Sequence, residues 1–116
     1  MISKKELLHT YYLDKLTHNL GSVNENRRDI VSIIREPIWT PTSSLNEASL
    51  CDLIIIYPNH AVPIELKSSI NRMRKAEEQI RYGFDYCDQV LNMPCSYGKF
   101  VWYVSENSYK WRNITK

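Results

Sequence analysis

The sequence has little of what marks a membrane, secreted or zinc-scaffolded protein. No apolar run approaches the ~18–20 residues needed to span a bilayer, so no membrane partner is expected. Its three cysteines, Cys51, Cys87 and Cys95, form no CxxC pair, and none has a histidine at zinc-ligand spacing. An odd count without a signal peptide points to reduced thiols and to an intracellular, cytoplasmic protein. The histidines, His9, His18 and His60, are scattered and suggest neither a zinc site nor a nucleophile relay. Charge of one sign is also lacking, with 15 Lys and Arg against 13 Asp and Glu for a net +2. Polyanion binding is therefore not written into the composition, and any basic surface must come from local clustering. There are no repeats, low-complexity segments or long linkers, and nothing marks an organic cofactor site. At 116 residues, 43% hydrophobic and 24% charged, the chain fits a single domain over 1–116 with a modest core.

What is present begins with helix signals. Ser3-Lys4-Lys5-Glu6 is a capping-box pattern, and Leu8, Tyr12, Leu16 and Leu20 follow at helical spacing, which predicts a first helix over 3–20 ending at Gly21. Ser22-Val23-Asn24-Glu25 repeats the pattern, and Ile30, Val31 and Ile34 suggest a second helix up to Arg35. Glu36-Pro37-Ile38-Trp39-Thr40-Pro41 is barred from helix by its prolines and is read as a short strand leading into a polar loop, Thr42–Ser49. Ser68 or Ser69 can cap a long helix reaching Leu91 or Asn92, stopped before Pro94. Tyr97–Ser105 is the last strong strand, with a further short one near Trp111–Ile114. Helix, helix, strand, hairpin, helix, strand is an α/β sandwich around a mixed sheet.

The hairpin carries the chemistry. Cys51-Asp52-Leu53-Ile54-Ile55-Ile56-Tyr57 and Ala61-Val62-Pro63-Ile64-Glu65-Leu66-Lys67 read as buried strands around a turn at Pro58-Asn59, yet they contain Asp52, Glu65 and Lys67. Unpaired charges there cost several kcal/mol each. With the turn at Pro58-Asn59, cross-strand positions sum to 117, which sets Asp52 opposite Glu65 and Ile54 opposite Pro63. Period-two alternation then puts Lys67 on the same face as the two carboxylates. Pro63 cannot join a hydrogen-bonded pair, so both pairs are expected to be the closer kind, with Cα atoms roughly 4.5 Å apart. Adjacent carboxylates repel unless a proton or a metal lies between them, and hard oxygen ligands suit Mg²⁺, with Mn²⁺ able to substitute.

A second constellation lies on the long helix. Met73, Ala76, Ile80, Phe84, Cys87 and Leu91 make its core stripe, with Glu77, Glu78, Arg81, Asp85 and Asp88 opposite. Between them run Arg72, Lys75, Gln79, Tyr82 and Tyr86, cationic, amide and phenolic groups suited to phosphate contacts and base packing. Tyr109-Lys110-Trp111-Arg112-Asn113-Ile114-Thr115-Lys116, basic and aromatic with no acid, is a second footprint of the same kind.

Asp52, twelve intervening residues, then Glu65-Leu66-Lys67 on a hairpin with an apolar first strand resembles the signature of the PD-(D/E)XK nuclease superfamily. Gly21-Ser22-Val23-Asn24-Glu25, with Arg27 and Arg28 behind it, is similar to the first-helix glutamate region of archaeal-type Holliday junction resolvases and RecB-like nucleases. Gln79 and Tyr82 fall where related enzymes carry a glutamine and a tyrosine. Cys51 stands where the eponymous proline often is, and Gly83 follows Gln79 at four residues in place of a tyrosine.

The resemblance implies a restriction-endonuclease-like αβββαβ core, here with an extra N-terminal helix, and a Mg²⁺-dependent endonuclease hydrolysing phosphodiester bonds in DNA, including branched or structured DNA. In that scheme Asp52, Glu65 and the Leu66 carbonyl hold the metal and Glu25 completes its shell, with Glu47 as the other candidate third acid. Lys67 positions the attacking water or neutralises charge, and Gln79, Tyr82, Arg72 and Lys75 hold the DNA. One active site per small domain favours a homodimer for cutting both strands. The alternative is a nucleic-acid-binding or regulatory module that keeps the fold without catalysis.

Overall fold

A computed structural model describes residues 2–39, 50–105 and 108–116. The expected polar loop Thr42–Ser49, and Glu47 with it, falls outside the described residues. Helix α1 spans Lys4–His18, and Ser3 caps it by accepting a hydrogen bond from the Glu6 N–H at 3.1 Å. Strands β1 (Ser32–Arg35), β2 (Leu53–Ile56) and β3 (Ala61–Lys67) follow, then helix α2 (Met73–Gln89) and strands β4 (Tyr97–Ser105) and β5 (Ser108–Thr115). The sheet runs in the order β1-β2-β3-β4-β5, antiparallel throughout except for the parallel β3/β4 pair, which α2 connects.

The central strands are apolar almost without interruption because both sheet faces are covered. On one face Leu13, Leu16, Leu20 and Val23 pack on Leu53, Ile55, Val62, Ile64, Leu66 and Val101. On the other, Ala76, Ile80, Phe84 and Cys87 of α2 pack on Cys51, Ile54, Ala61, Phe100 and Ile114. Each fully buried Leu or Ile contributes about 1.5–3 kcal/mol of apolar transfer. The result is an α/β fold with a mixed sheet between two helical layers.

The hairpin register is the one expected: Leu53 pairs with Ile64, Ile54 with Pro63, Ile55 with Val62 and Ile56 with Ala61, each pair summing to 117. Pro63 sits in a central strand, where its missing N–H is tolerated because the ladder to β4 begins only at Ile64. The helix above it comes unusually close. A Cβ at Gly83 would stand 2.8 Å from the Pro63 Cβ and 3.0 Å from the Cys51 Sγ, and one at Gly98 would stand 2.6 Å from the Ile80 Cγ2 and 2.8 Å from the Pro63 carbonyl oxygen.

Several expectations for the N-terminal third fail for identifiable reasons. Helix α1 stops at His18 with Asn19 as its C-cap, and the left-handed residue of the following turn is Asn24, at φ 63°, not Gly21. Leu8 is 47% exposed, since the buried face is set by Leu13, Leu16 and Leu20. The expected second helix does not form: short 3₁₀ turns at Leu20–Val23 and Arg27–Asp29 lead into β1. Ile30-Val31-Ser32-Ile33-Ile34 is a β-branched run that packs better on a pleated surface than in a helix. Of the strand expected at Glu36–Pro41, residues 36–39 form none and Thr40 and Pro41 lie outside the described residues; the strand lies earlier, and Glu36, at φ 51°, turns the chain out of the sheet. With no second helix, α1 is the helix that covers the sheet and is not an extra one. At the other end, β5 is longer than the expected Trp111–Ile114.

Replacing Gly98 by alanine is expected to cost about 1–3 kcal/mol through overpacking, lowering the melting temperature by roughly 5–15 °C. Gly21→Ala, whose added Cβ meets nothing within 4 Å, is expected to melt with the wild type. Thermal denaturation of the two variants checks this pair.

Candidate active site

Asp52 lies immediately before β2, where the β2/β3 ladder ends at Leu53 and Ile64. Its side chain takes over the strand's duty there. The Asp52 Oδ2 accepts the Leu66 N–H at 2.9 Å, and the backbone carbonyl of Asp52 accepts the Glu36 N–H at 2.8 Å. The same Oδ2 stands 3.2 Å from the His9 Nε2 of α1. Pairing with Asp52 raises the His9 pKa above its usual value against the opposing effect of burial, and the Leu66 carbonyl adds to the rise.

Glu65 follows from the register. Pro63 and Glu65 alternate with Val62, Ile64 and Leu66, so Glu65 and Lys67 project on the α2 side of the sheet, while Asp52, just outside the ladder, turns its carboxylate to the Leu66 N–H and to His9 of α1. Glu65 is 2% exposed, and its Oε2 lies 2.9 Å from the Lys67 ammonium. Its Oε1 has no hydrogen-bond partner among the described residues. Burial, then the Asp52 charge, push the Glu65 carboxyl up to about 9, against the pull of Lys67. His9 and the Leu66 N–H answer Asp52 and Lys67 answers one oxygen of Glu65, so the shortage of donors falls on the other, in a place shielded from water.

Gln79 is on the buried face of α2, with its amide nitrogen 3.5 Å from the Leu50 carbonyl, two residues before Asp52. Tyr82 is half-buried on the same helix, while Arg72 and Lys75 are exposed. Arg72 borders a cleft of about 760 Å³ that also takes in Lys4, Glu6, His9, Leu66 and Lys67, between the first turns of α1 and the end of β3. The expected stripe is thus divided, with Gln79 inside and its cationic members at the rim.

Glu25 is elsewhere. Its carboxylate accepts from the Tyr57 hydroxyl at 2.9 Å and the Tyr97 hydroxyl at 3.2 Å, and lies 3.7 Å from the Lys99 ammonium. Lys99 in turn donates to the Val23 carbonyl. Tyr57 and Tyr97 mark the end of the sheet opposite to Asp52, five strand residues or roughly 16 Å away. Burial and the nearby Glu25 raise both tyrosine pKa values, that of Tyr97 to about 12, and burial lowers that of Lys99. Glu25 is a satisfied structural anchor that ties the turn after α1 to the sheet, and it does not reach the Asp52–Glu65 pair.

His9 is the residue that sequence reasoning missed. Its position in the helix gave no hint, because the signal is three-dimensional: the first turns of α1 overhang the end of β3 where Asp52 lies. Among the described residues no three or more His, Cys, Asp or Glu side chains gather as a ready-made metal cage. A Mg²⁺ ion fits the donor set that is there, since Asp52 and the orphaned Glu65 oxygen are hard oxygen donors and this ion retains several waters. No family model matches the chain, and no curated protein and no solved structure is similar to it.

The two buried acids are expected to behave oppositely. The folded state keeps a proton on Glu65 that the unfolded chain releases above the ordinary glutamate value of 4.5, so this group lowers stability as pH rises from about 4.5 to about 9, by up to about 1.4 kcal/mol per unit. Glu65→Gln is expected to remove that slope and to melt higher than the wild type at pH 8. Glu25→Gln, which leaves Lys99 buried without its counter-charge, is expected to cost about 3–5 kcal/mol. Melting curves from pH 5 to pH 9 for both variants check the contrast.

Proposed function

We propose that the protein is a Mg²⁺-dependent endonuclease that hydrolyses phosphodiester bonds in DNA. The observation that carries this reading is the buried Glu65 carboxyl near Asp52, with an oxygen lacking any donor among the described residues and an ammonium at 2.9 Å. The order α1, β1, β2, β3, α2, β4, with β4 parallel to β3, supports assignment to the PD-(D/E)XK superfamily and its restriction-endonuclease-like αβββαβ core.

Asp52 and Glu65, with the Leu66 carbonyl, would hold the metal. When bound, the metal supplies a water of lowered pKa and a positive charge against the phosphate. The chain's own groups do the rest. The Leu66 N–H and His9 fix the orientation of Asp52 from two sides. The Lys67 ammonium, 2.9 Å from Glu65, would stabilise the negative charge that builds on the phosphoryl oxygens during in-line attack. The shielded setting of Glu65 strengthens each of these interactions relative to water. Arg72, at the rim of the cleft, and Lys75 and Tyr82, on the helix that follows Lys67, would hold the substrate backbone, with Gln79 steadying the segment that carries Asp52. A homodimer would present two such sites to two strands.

Supercoiled, linear, single-stranded and four-way-junction DNA, each incubated with Mg²⁺, Mn²⁺ or EDTA, provides the test. Cleavage is expected with either metal and not with EDTA. Lys67→Ala is expected to lose about 10²–10³-fold in rate, and Glu65→Ala at least as much. Folded wild type that binds these DNAs and cuts none with either metal would replace this reading with a non-catalytic nucleic-acid-binding module.

A further inference from the structure

Strand β5 extends the face that carries Glu65 and Lys67. The register across β3, β4 and β5 sets Lys67 beside Trp102 and Trp102 beside Lys110. One row nearer the sheet centre it sets Glu65 beside Phe100 and Phe100 beside Arg112. Directly paired residues share a face. Phe100 packs in the core under α2, with Trp102 partly buried against it, so both rows face that side. The Arg112 guanidinium donates to the Met73 sulfur at 3.5 Å, at the start of α2. Lys110 and Arg112 are exposed, Trp102 is half-buried with its ring 5.1 Å from that of Phe100, and 109–116 contains no acid.

We infer that Trp102, Lys110 and Arg112 form a track that leads a single strand of nucleic acid to the Asp52–Glu65 pair. This rests on the nuclease reading for its endpoint and adds residues and a substrate form to it. Neighbouring strands lie about 4.8 Å apart, so Lys67 and Lys110 flank the indole across a span of about 10 Å. Cation, aromatic, cation in one row matches phosphate, base, phosphate in an unpaired strand. A duplex hides its base faces in the stack, so it can use the two cations and not the indole. The row begins at Lys67, which touches Glu65, so a strand lying on it is delivered to the carboxyls directly.

Fluorescence anisotropy in EDTA, with a labelled single strand and with the same sequence as a duplex, tests the track without cleavage. Wild type is expected to bind the single strand more tightly. Lys110→Ala and Arg112→Ala are each expected to weaken it several-fold and to lower the salt-dependence slope by about one. Trp102→Leu is expected to cost roughly 5- to 100-fold on the single strand and little on the duplex. Arg81→Ala, whose side chain pairs with Glu77 on the outer face of α2, is expected to bind as the wild type does. Unchanged binding by the two surface variants, Lys110→Ala and Arg112→Ala, would overturn the track even if Trp102→Leu failed to fold. If these variants bind normally while the wild type cuts, the track fails and the nuclease reading stands; if they lose binding while the wild type never cuts, the reverse holds.

Discussion

Strand β3 is closed on every side: β2 and β4 pair with its edges, and the two helical layers cover its faces. Any ionisable group on it must settle its charge with whatever the protein places beside it. Most of what is distinctive in the molecule follows from putting Glu65 there. Asp52 faces it from the end of β2, Lys67 reaches back to it from two residues on, and α2 keeps water from above. A carboxyl so confined either keeps a proton or awaits a cation, because the enclosure supplies too few donors for its charged form.

The molecule builds two buried acid sites at opposite ends of one sheet by opposite means. Around Glu25, two phenols and an ammonium converge on one carboxylate, and the ammonium also has a backbone carbonyl. Every charge there is answered, which is how a structural pair offsets its desolvation. Around Glu65, acceptor meets acceptor, and the shortage is only half relieved by Lys67. The difference between the two sites lies in how many donors surround each carboxyl, and burial alone does not separate them, since Glu25 is 5% and Glu65 2% exposed.

What could be read from the residues was local and periodic. The β2/β3 register followed from one turn, one proline and strand alternation, and it placed Glu65 and Lys67 on the α2 face, whereas Asp52, just outside the ladder, meets the Leu66 N–H and His9 of α1. The buried stripe of α2 followed in the same way from Ala76, Ile80, Phe84 and Cys87. Illegible features depended on competition or on distance. Ser22 and Glu25 mimic a helix cap, but the β-branched run after them wins the segment for the sheet, and Glu25 turns toward Tyr57 and Tyr97, 32 and 72 residues away. His9 looked like any helix residue, since only the tertiary packing of α1 brings its ring to Asp52, 43 residues away. Strand β5 was underestimated because an edge strand needs apolar residues at few positions, here Tyr109 and Ile114.

The close seating of α2 over Pro63 has a chemical side. Gly83 and Gly98 fix the height of the helix above the sheet, and Gly83 lies one helical turn beyond Gln79, whose amide meets the segment leading to Asp52. A methyl group at either glycine would press on Pro63, which shares its face of β3 with Glu65 two residues on. Burial is the first cause of the raised Glu65 pKa, and it depends on helix and sheet staying this close. Two missing side chains, neither of them ionisable, thus let the helix lie close over the strand that carries the most confined acid of the protein.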